Sequence, residues 1–321
     1  MKLVICASGI CVCYWLYGAL QEALITDSNL GAIFLLAMQS VANMIVAFLW
    51  SKVDDHYDNK DEQKNRKSFQ SLHHPLLFVT SVTYVSAMVC TNEALRFVSY
   101  PSAVLAKSCK MIPTMLMGYI VEKQEYSIRQ WISALLISIG IALFNLSRIQ
   151  EFEDESQKSN EDYWKGMLLL FTSLCMDGFL GSFQGMLKSL ETPPNANESM
   201  FFVNFYAFLL FVPLSVVSGQ WTEGVLALKE NPDFLKVVCL LNGVVSVGQI
   251  FIFLTLTWYS SLVCTTITTT RKFFTILFSV IYFGHAFSVW QWASVFMVFS
   301  GLYLSIGAST RTEKERKKKE D

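Results

Sequence analysis

The chain has 321 residues, of which 53% are hydrophobic and only 16% are Asp, Glu, Lys or Arg. A soluble domain carries about 25% charged residues, so this composition excludes an ordinary soluble protein and predicts a membrane protein. The net charge of -1 identifies no partner, because the charged residues are segregated into connecting segments.

Ten apolar stretches are long enough to cross a bilayer, which takes about 20 predominantly apolar residues in a helix. They cover about 3–22, 30–50, 75–96, 101–121, 129–147, 164–187, 200–218, 234–257, 261–283 and 287–308. The first continues through Tyr14–Leu20, which is longer than the apolar region of a signal peptide, and no cleavage site follows. We therefore expect an all-α membrane protein of ten transmembrane helices, the first of them retained.

The lysines and arginines of the connecting segments predict the orientation of the chain. With a cytosolic N-terminus, 15 of the 25 lie on the cytosolic side, six on the luminal side and four inside the apolar stretches. Both termini are thus expected in the cytosol. In the tail, residues 311–321, Lys318 and Lys319 occupy the positions of a dilysine signal, which coat machinery reads for retrieval to the endoplasmic reticulum. The alternative is a generic basic flank of the last helix.

Residues recur between the two halves of the chain at a nearly constant offset of 161–163. The pairs are Gln130 and Gln291, Trp131 and Trp292, Gly140 and Gly301, Gly18 and Gly181, and Gln21 and Gln184. We interpret this as two five-helix repeats, residues 1–150 and 151–310. Because five is odd, the second repeat is inverted, as in secondary transporters whose substrate site lies near the membrane midplane.

Four cations interrupt two apolar stretches at equivalent positions of these repeats: Lys107, Lys110, Arg271 and Lys272. A cation at the centre of a membrane helix costs about 2.5–3.5 kcal/mol even on lenient scales, and such residues are functional by default. Lys107 and Lys110 share one helix face, and a stripe of threonines that includes Thr269 accompanies Lys272. We therefore predict an anion site, since lysine binds phosphate as a point charge.

The alternative is that the lysines form structural ion pairs with the carboxylates of Glu93 and Asp177, which would account for two of the four cations. Other polar residues inside the apolar stretches are Gln21, Glu22, Asn92, Gln184, Asn204 and Gln249. Each is interpreted first as a helix–helix hydrogen-bonding residue. Glu22 is also a candidate proton or gating carboxylate.

Several stretches of this sequence resemble the nucleotide-sugar transporters of solute carrier family 35, B subfamily, and most closely its endoplasmic-reticulum branch. They are Tyr100-Pro101-x-x-Val104-Leu105-Ala106-Lys107-Ser108-Cys109-Lys110 with Pro113, Thr268-Thr269-Thr270-Arg271-Lys272-Phe273-Phe274-Thr275, Tyr17-Gly18-x-x-Gln21-Glu22, Asp177-Gly178, and Gly248-Gln249-x-Phe251-Ile252-Phe253. Glu93 departs from that branch, which has a small polar residue there.

The resemblance implies a ten-helix transporter of the drug/metabolite type that exchanges nucleotide-linked solutes across the membrane. The branch is assigned UDP-galactose and UDP-glucose, and also ATP-for-ADP exchange; the wider family exchanges nucleotide sugars for a nucleoside monophosphate. By resemblance, Lys110 and Lys272 are phosphate ligands, with Lys107 and Arg271 as supporting charge.

A catalytic or metal site is not expected. The eight cysteines all lie in apolar stretches without a C-x-x-C pair, and the four histidines are scattered. A membrane-embedded transferase or hydrolase would need a constellation that is missing from the sequence, and a non-transporting scaffold would leave the lysines unexplained. We expect no cofactor; the expected partners are the nucleotide or nucleotide sugar, membrane lipid and the retrieval coat, and no nucleic acid.

Overall fold

The computed structural model describes the backbone of residues 2–27, 31–57, 73–98, 100–149, 160–230, 232–282 and 289–320. Every regular element in these ranges is an α-helix. The helices are α1 (Lys2–Asp27), α2 (Ala32–Tyr57), α3 (His74–Ala94), α4 (Tyr100–Ser108), α5 (Met111–Val121), α6 (Ile128–Ile149), α7 (Asn160–Lys188), α8 (Ala196–Val217), α9 (Gln220–Glu230), α10 (Pro232–Trp258), α11 (Ser261–Tyr282) and α12 (Val289–Glu320).

Within the described ranges, five helical segments are long and apolar enough to span a membrane: Ala32–Val53, His74–Ala94, Tyr163–Lys188, Ala196–Val217 and Phe234–Trp258. Three shorter segments are also apolar: Lys2–Gly18, Met111–Val121 and Ile128–Phe144. The prediction of an all-α membrane protein is therefore confirmed, while the arrangement as ten spans in two repeats stays a prediction.

Two details of the helix prediction were wrong. The fourth stretch, expected as one helix over about 101–121, is divided into α4 and α5 by a turn at Cys109 and Lys110. In addition, the segment before α10 contains α9, which the hydropathy pattern did not reveal. Its 11 residues have a short apolar run, 224–228, flanked by polar and charged residues that include Glu223 and Lys229. This run is far shorter than the about 20 residues of a membrane span.

Contacts divide the chain into two compact units. The first contains Met1–Ser86 and Phe183–Cys264, and the second contains Ala87–Ser182 and Thr265–Asp321. Each unit thus combines segments from both halves of the sequence. The boundaries of the predicted repeats are a different division, based on sequence offsets, and stay a prediction.

In the first unit, α2 packs along α8 with a hydrogen bond between two buried asparagines. The Nδ2 atom of Asn43 donates to Oδ1 of Asn204 at 2.8 Å, and Nδ2 of Asn204 donates to the Met200 carbonyl at 2.7 Å. Both side chains are almost fully buried. For Asn204, the predicted role in a helix–helix hydrogen bond is confirmed.

We expect the Asn43–Asn204 bond to contribute modestly to stability. A double-mutant cycle of Asn43→Ala and Asn204→Ala should give a coupling energy of about 0.6 kcal/mol, the average for hydrogen bonds between membrane helices. The measurement is unfolding of the purified protein in mixed micelles with increasing SDS. Strictly additive single-variant effects would contradict this prediction.

In the second unit, α6 and α12 pack through two glycines that occupy matching positions. A Cβ atom on Gly140 would lie 2.8 Å from Val298 Cγ2, and one on Gly301 would lie 2.7 Å from Ile137 Cγ1. Each glycine therefore admits the apolar side chain of the other helix. Both pairs, Gly140 with Gly301 and Ile137 with Val298, are separated by 161 residues, and this reciprocity supports the predicted duplication.

Aromatic rings extend this packing to α11. Phe144 of α6 and Phe273 of α11 are fully buried and meet edge to face, with centroids 5.2 Å apart. Phe274 in turn meets Phe299 of α12, with ring centroids 5.8 Å apart. The opposite side of α12 exposes large apolar side chains such as Phe296 and Tyr303, as expected for a helix that faces lipid.

Candidate functional site

Lys107 and Lys110 bind the same carboxylate. The Nζ atom of Lys107 lies 2.6 Å from Oδ2 of Asp177, and Nζ of Lys110 lies 3.1 Å from Oδ1. The Asp177 side chain is only 3% exposed, whereas Lys107 and Lys110 are 16% and 29% exposed. Each carboxylate oxygen thus holds one ammonium group, and the three charges sum to +1 inside the apolar part of the chain.

A hydroxyl group supports the more buried lysine. The Lys107 ammonium also donates to Oγ of Ser173 at 2.7 Å, and Ser173 donates to the Ala87 carbonyl of α3 at 2.6 Å. The Thr91 hydroxyl lies 2.7 Å from the same Ser173 oxygen. Ser173 and Asp177 are four residues apart and share one face of α7, so this face provides two of the acceptors of Lys107.

The turn between α4 and α5 brings both lysines to this carboxylate. Pro113 has no backbone N–H and its ring clashes with the carbonyl four residues earlier, that of Cys109. Near the turn the backbone bonds are of the tighter i→i+3 kind: Cys109 N–H to Ala106, Lys110 N–H to Lys107 and Ile112 N–H to Cys109. A short 3₁₀ stretch inside a helix often marks a functional position.

A glycine sets the distance between α7 and this turn. A Cβ atom on Gly178 would lie 2.8 Å from the Pro113 carbonyl oxygen, which is backbone and cannot turn aside. Only glycine permits this approach, and Gly178 directly follows Asp177. The Asp177-Gly178 dipeptide therefore provides both the carboxylate and the close contact that holds it against the lysines.

The ion-pair alternative also expected Glu93 to bind these lysines, but the Glu93 carboxylate pairs with Arg96 instead. Its Oε2 lies 3.3 Å from Nε of Arg96, three residues later, and the two side chains are 42% and 67% exposed. Glu93 is thus in a local, exposed pair near the end of α3. The ion-pair alternative was correct that two of the four cations pair with carboxylate. A single residue, Asp177, pairs with both of them and neutralises only one of the two charges.

The second cation pair lies on α11. Thr269 and Thr270 are buried there, and the Thr270 hydroxyl donates to the Thr266 carbonyl at 2.7 Å. Arg271 is half-buried in the same unit as Lys107 and Lys110. The side chain of Lys272 lies outside the part of the chain that the structure describes.

The remaining predicted site residues are less fully described. Gln249 is half-buried on α10, in the first unit. Gln21 and Glu22 belong to α1, but their side chains lie outside the described residues, as do those of Lys318 and Lys319 at the end of α12. Across the described residues, no group of three or more His, Cys, Asp or Glu side chains is placed to hold a metal ion.

Sequence reasoning missed two members of the cluster, Ser173 and Thr91. Their hydroxyls occur in helices where such residues usually bond their own backbone, and Thr91 does donate to the Ala87 carbonyl at 2.7 Å. The one available signal was the i, i+4 spacing of Ser173 from Asp177, which places the hydroxyl beside a buried charge.

Comparison with known proteins gives consistent results. The sequence profile of the UAA transporter family matches residues 2–309. A solute carrier family 35 member B1 of Dictyostelium discoideum is 37% identical, with 97% of this chain and 78% of the relative covered. The Xenopus tropicalis protein of the same name is 33% identical, with 94% and 92% covered.

The likeness extends to an insect relative and to a solved structure. The Drosophila melanogaster solute carrier family 35 member B1 homolog is 33% identical, with 95% of this chain and 90% of the relative covered. A protein of known crystal structure matches with a TM-score of 0.67 over 97% of this chain and 98% of its own, at 11% identity. At that identity the likeness concerns the fold alone.

Proposed function

Because the chain belongs to the UAA transporter family, we propose that it is an antiporter of nucleotide-linked anions in the endoplasmic-reticulum membrane. It imports UDP-galactose or UDP-glucose in exchange for UMP by alternating access around a lysine site. Both termini lie in the cytosol, and the protein catalyses no chemical reaction.

The observation that carries this proposal is the convergence of Lys107 and Lys110 on one buried carboxylate. Two ammonium groups against one carboxylate leave a net positive charge among apolar helices, where an uncompensated cation is costly. A phosphate group supplies the missing negative charge and the acceptor oxygens that ammonium groups bind well. A diphosphate-linked solute suits this arrangement because it presents several such oxygens.

The same cluster favours a UDP-sugar over ATP. Four cations without a counter-charge would match a triphosphate, but Asp177 offsets one of them. The smaller net charge suits the smaller negative charge of a nucleoside diphosphate sugar. ATP-for-ADP exchange that supplies the reticulum lumen is the second candidate, and a non-transporting scaffold is the third.

We assign the substrate contacts as follows. Lys110 and Lys272 bind phosphate oxygens, and Lys107 and Arg271 supply supporting charge. The remaining proposed contacts are Thr269, Gln249, Gln21 and Glu22. Discontinuous helices line the substrate sites of many secondary transporters, and the division of α4 from α5 at Lys110 supports its central place.

Exchange in proteoliposomes tests the substrate. Purified protein is reconstituted, loaded with UMP or ADP, and offered labelled UDP-galactose, UDP-glucose or ATP. Uptake of a UDP-sugar that depends on internal UMP is the expected result. Uptake of ATP that depends on internal ADP would replace the UDP-sugar assignment with the second candidate. If the folded protein took up none of these substrates with either internal nucleotide, the non-transporting scaffold would be favoured.

The tail is expected to keep the protein in the endoplasmic reticulum. Replacing Lys318 and Lys319 together by alanine removes the charges that the retrieval coat reads, so the protein should move to later compartments of the secretory pathway. Microscopy of the tagged full chain, with Lys314→Ala as a matched control in the same tail, gives the readout. Unchanged reticular distribution of the double variant would show that the tail is only a basic flank.

A further inference from the structure

We infer that Asp177 is an internal counter-anion that competes with the substrate phosphate for Lys107 and Lys110. The inference rests on the proposed function, and it concerns how the same site binds and releases its cargo. In the structure the carboxylate holds both ammonium groups. When a phosphate group enters, the lysines turn from Asp177 to it.

The geometry makes Asp177 the fixed partner and the lysines the mobile ones. Asp177 is 3% exposed, and the next residue, Gly178, lies against the Pro113 carbonyl, so the carboxylate cannot follow a lysine that moves away. Lysine side chains have four rotatable bonds and can turn their ammonium group through several ångströms. Exchange of partners at this site is therefore a movement of the lysines.

The two lysines differ in how firmly they are held. Lys107 makes a 2.6 Å bond to Asp177 and a second bond to Ser173. Lys110 has the longer bond, 3.1 Å, and is the more exposed of the two at 29%. Lys110 thus turns to an incoming phosphate first, while Lys107 keeps its bonds longer.

Competition of this kind has two effects on transport. It lowers the affinity for anions, because each lysine that binds phosphate gives up a charge-assisted bond to Asp177. It also provides a partner for the lysines after the cargo leaves, so that release does not leave two like charges unpaired in an apolar surrounding. A carrier that must release its cargo on the far side benefits from both.

The direct test is anion binding by Asp177→Asn. This change removes the negative charge and nearly keeps the shape, so the lysines become available. Inorganic pyrophosphate should bind at least tenfold more tightly to the variant than to the original protein in calorimetry. The free variant lacks both charge-assisted bonds to Asp177, and the loss of one such bond already corresponds to about a factor of ten in affinity. Equal or weaker binding would overturn the inference.

A second comparison decides the matter if Asp177→Asn alone does not fold. In Lys107→Met, Asp177 is left with Lys110 and the cluster has no net charge. In the double variant Lys107→Met/Asp177→Asn, Lys110 alone restores a net charge of one. The double variant should therefore bind pyrophosphate about tenfold more tightly than Lys107→Met. If the second change does not restore binding, Asp177 is a purely structural partner.

Two controls separate competition from a general loss of negative charge. Glu93→Gln removes a carboxylate that binds Arg96 instead of the lysines, and it should leave pyrophosphate affinity unchanged. Uridine carries no phosphate, and its binding should be the same with and without Asp177→Asn. Equal gains in affinity for uridine and pyrophosphate would overturn the inference.

The proposed function fails separately from the inference. If the original protein binds neither pyrophosphate nor UDP-glucose nor ATP, the anion site does not exist and both fall. If it binds them through Lys110 but Asp177→Asn brings no gain in affinity, only the role of Asp177 is lost.

Discussion

Replacing Lys110 by alanine is expected to reduce uptake of the nucleotide substrate by about 10- to 100-fold, because a hydrogen bond to a charged group contributes about 1.5–3 kcal/mol. The variant loses the lysine that is more accessible to an incoming phosphate. It also leaves Asp177 paired with Lys107 alone, so the cluster has no net positive charge. Initial rates of labelled substrate uptake into proteoliposomes give the effect at limiting substrate concentration.

Two variants control for charge and for general damage. Lys110→Arg keeps the positive charge but places it on a planar guanidinium group instead of a compact ammonium group. This variant should retain part of the uptake activity. Lys165→Ala removes an exposed lysine near the start of α7, the helix that carries Asp177, and should leave uptake unchanged. If folded Lys110→Ala took up substrate at the full rate, Lys110 would not be a substrate-binding residue.

Gly178→Ala is expected to damage both stability and transport. The added methyl group would lie 2.8 Å from the Pro113 carbonyl oxygen and 2.9 Å from Met117 Cγ, so α7 and α5 must separate. Overpacking of this kind costs about 1–3 kcal/mol. The separation also moves Asp177 away from Lys107 and Lys110, which disturbs the whole cluster. Thermal unfolding in detergent and uptake in proteoliposomes measure the two effects.

Gly243→Ala is the matched control for that change. Gly243 is also a helical glycine, on α10, but a Cβ atom there meets nothing within 4 Å. Alanine favours helix over glycine by about 1 kcal/mol, so this variant should be as stable as the original protein or slightly more so. Wild-type stability and uptake in Gly178→Ala would mean that the close contact with Pro113 does not hold the site.

Local patterns predicted the helices and the shared face of Lys107 and Lys110 because both depend on neighbours in the sequence. The partner of these lysines could not be predicted in the same way. Asp177 lies 70 residues from Lys107, and Glu93 was an equal candidate until the fold separated them. Glu93 and Arg96 are only three residues apart, so their pairing, unlike that of Asp177, is of the kind that local spacing in a helix indicates.

The two errors in the helix prediction have a common cause. Average hydropathy over about 20 residues does not resolve the turn at Cys109 and Lys110. The local signal for this turn is Pro113, whose ring disfavours a regular helix over the preceding residues. The same average hides α9, whose polar residues lower the mean although one of its faces is apolar. For α9 the buried contact is that of Gly224 with Phe34, which joins distant parts of the chain and is not visible in a local pattern.

The central claim is that the protein exchanges nucleotide-linked anions through the Lys107 and Lys110 cluster. The most direct test is the initial rate of labelled UDP-glucose uptake into proteoliposomes loaded with UMP, compared with empty ones, for the original protein and Lys110→Ala side by side. The account predicts uptake that is stimulated by internal UMP and that is about 10- to 100-fold slower in Lys110→Ala. Uptake by the original protein that is independent of internal nucleotide, or equal in both proteins, would contradict it.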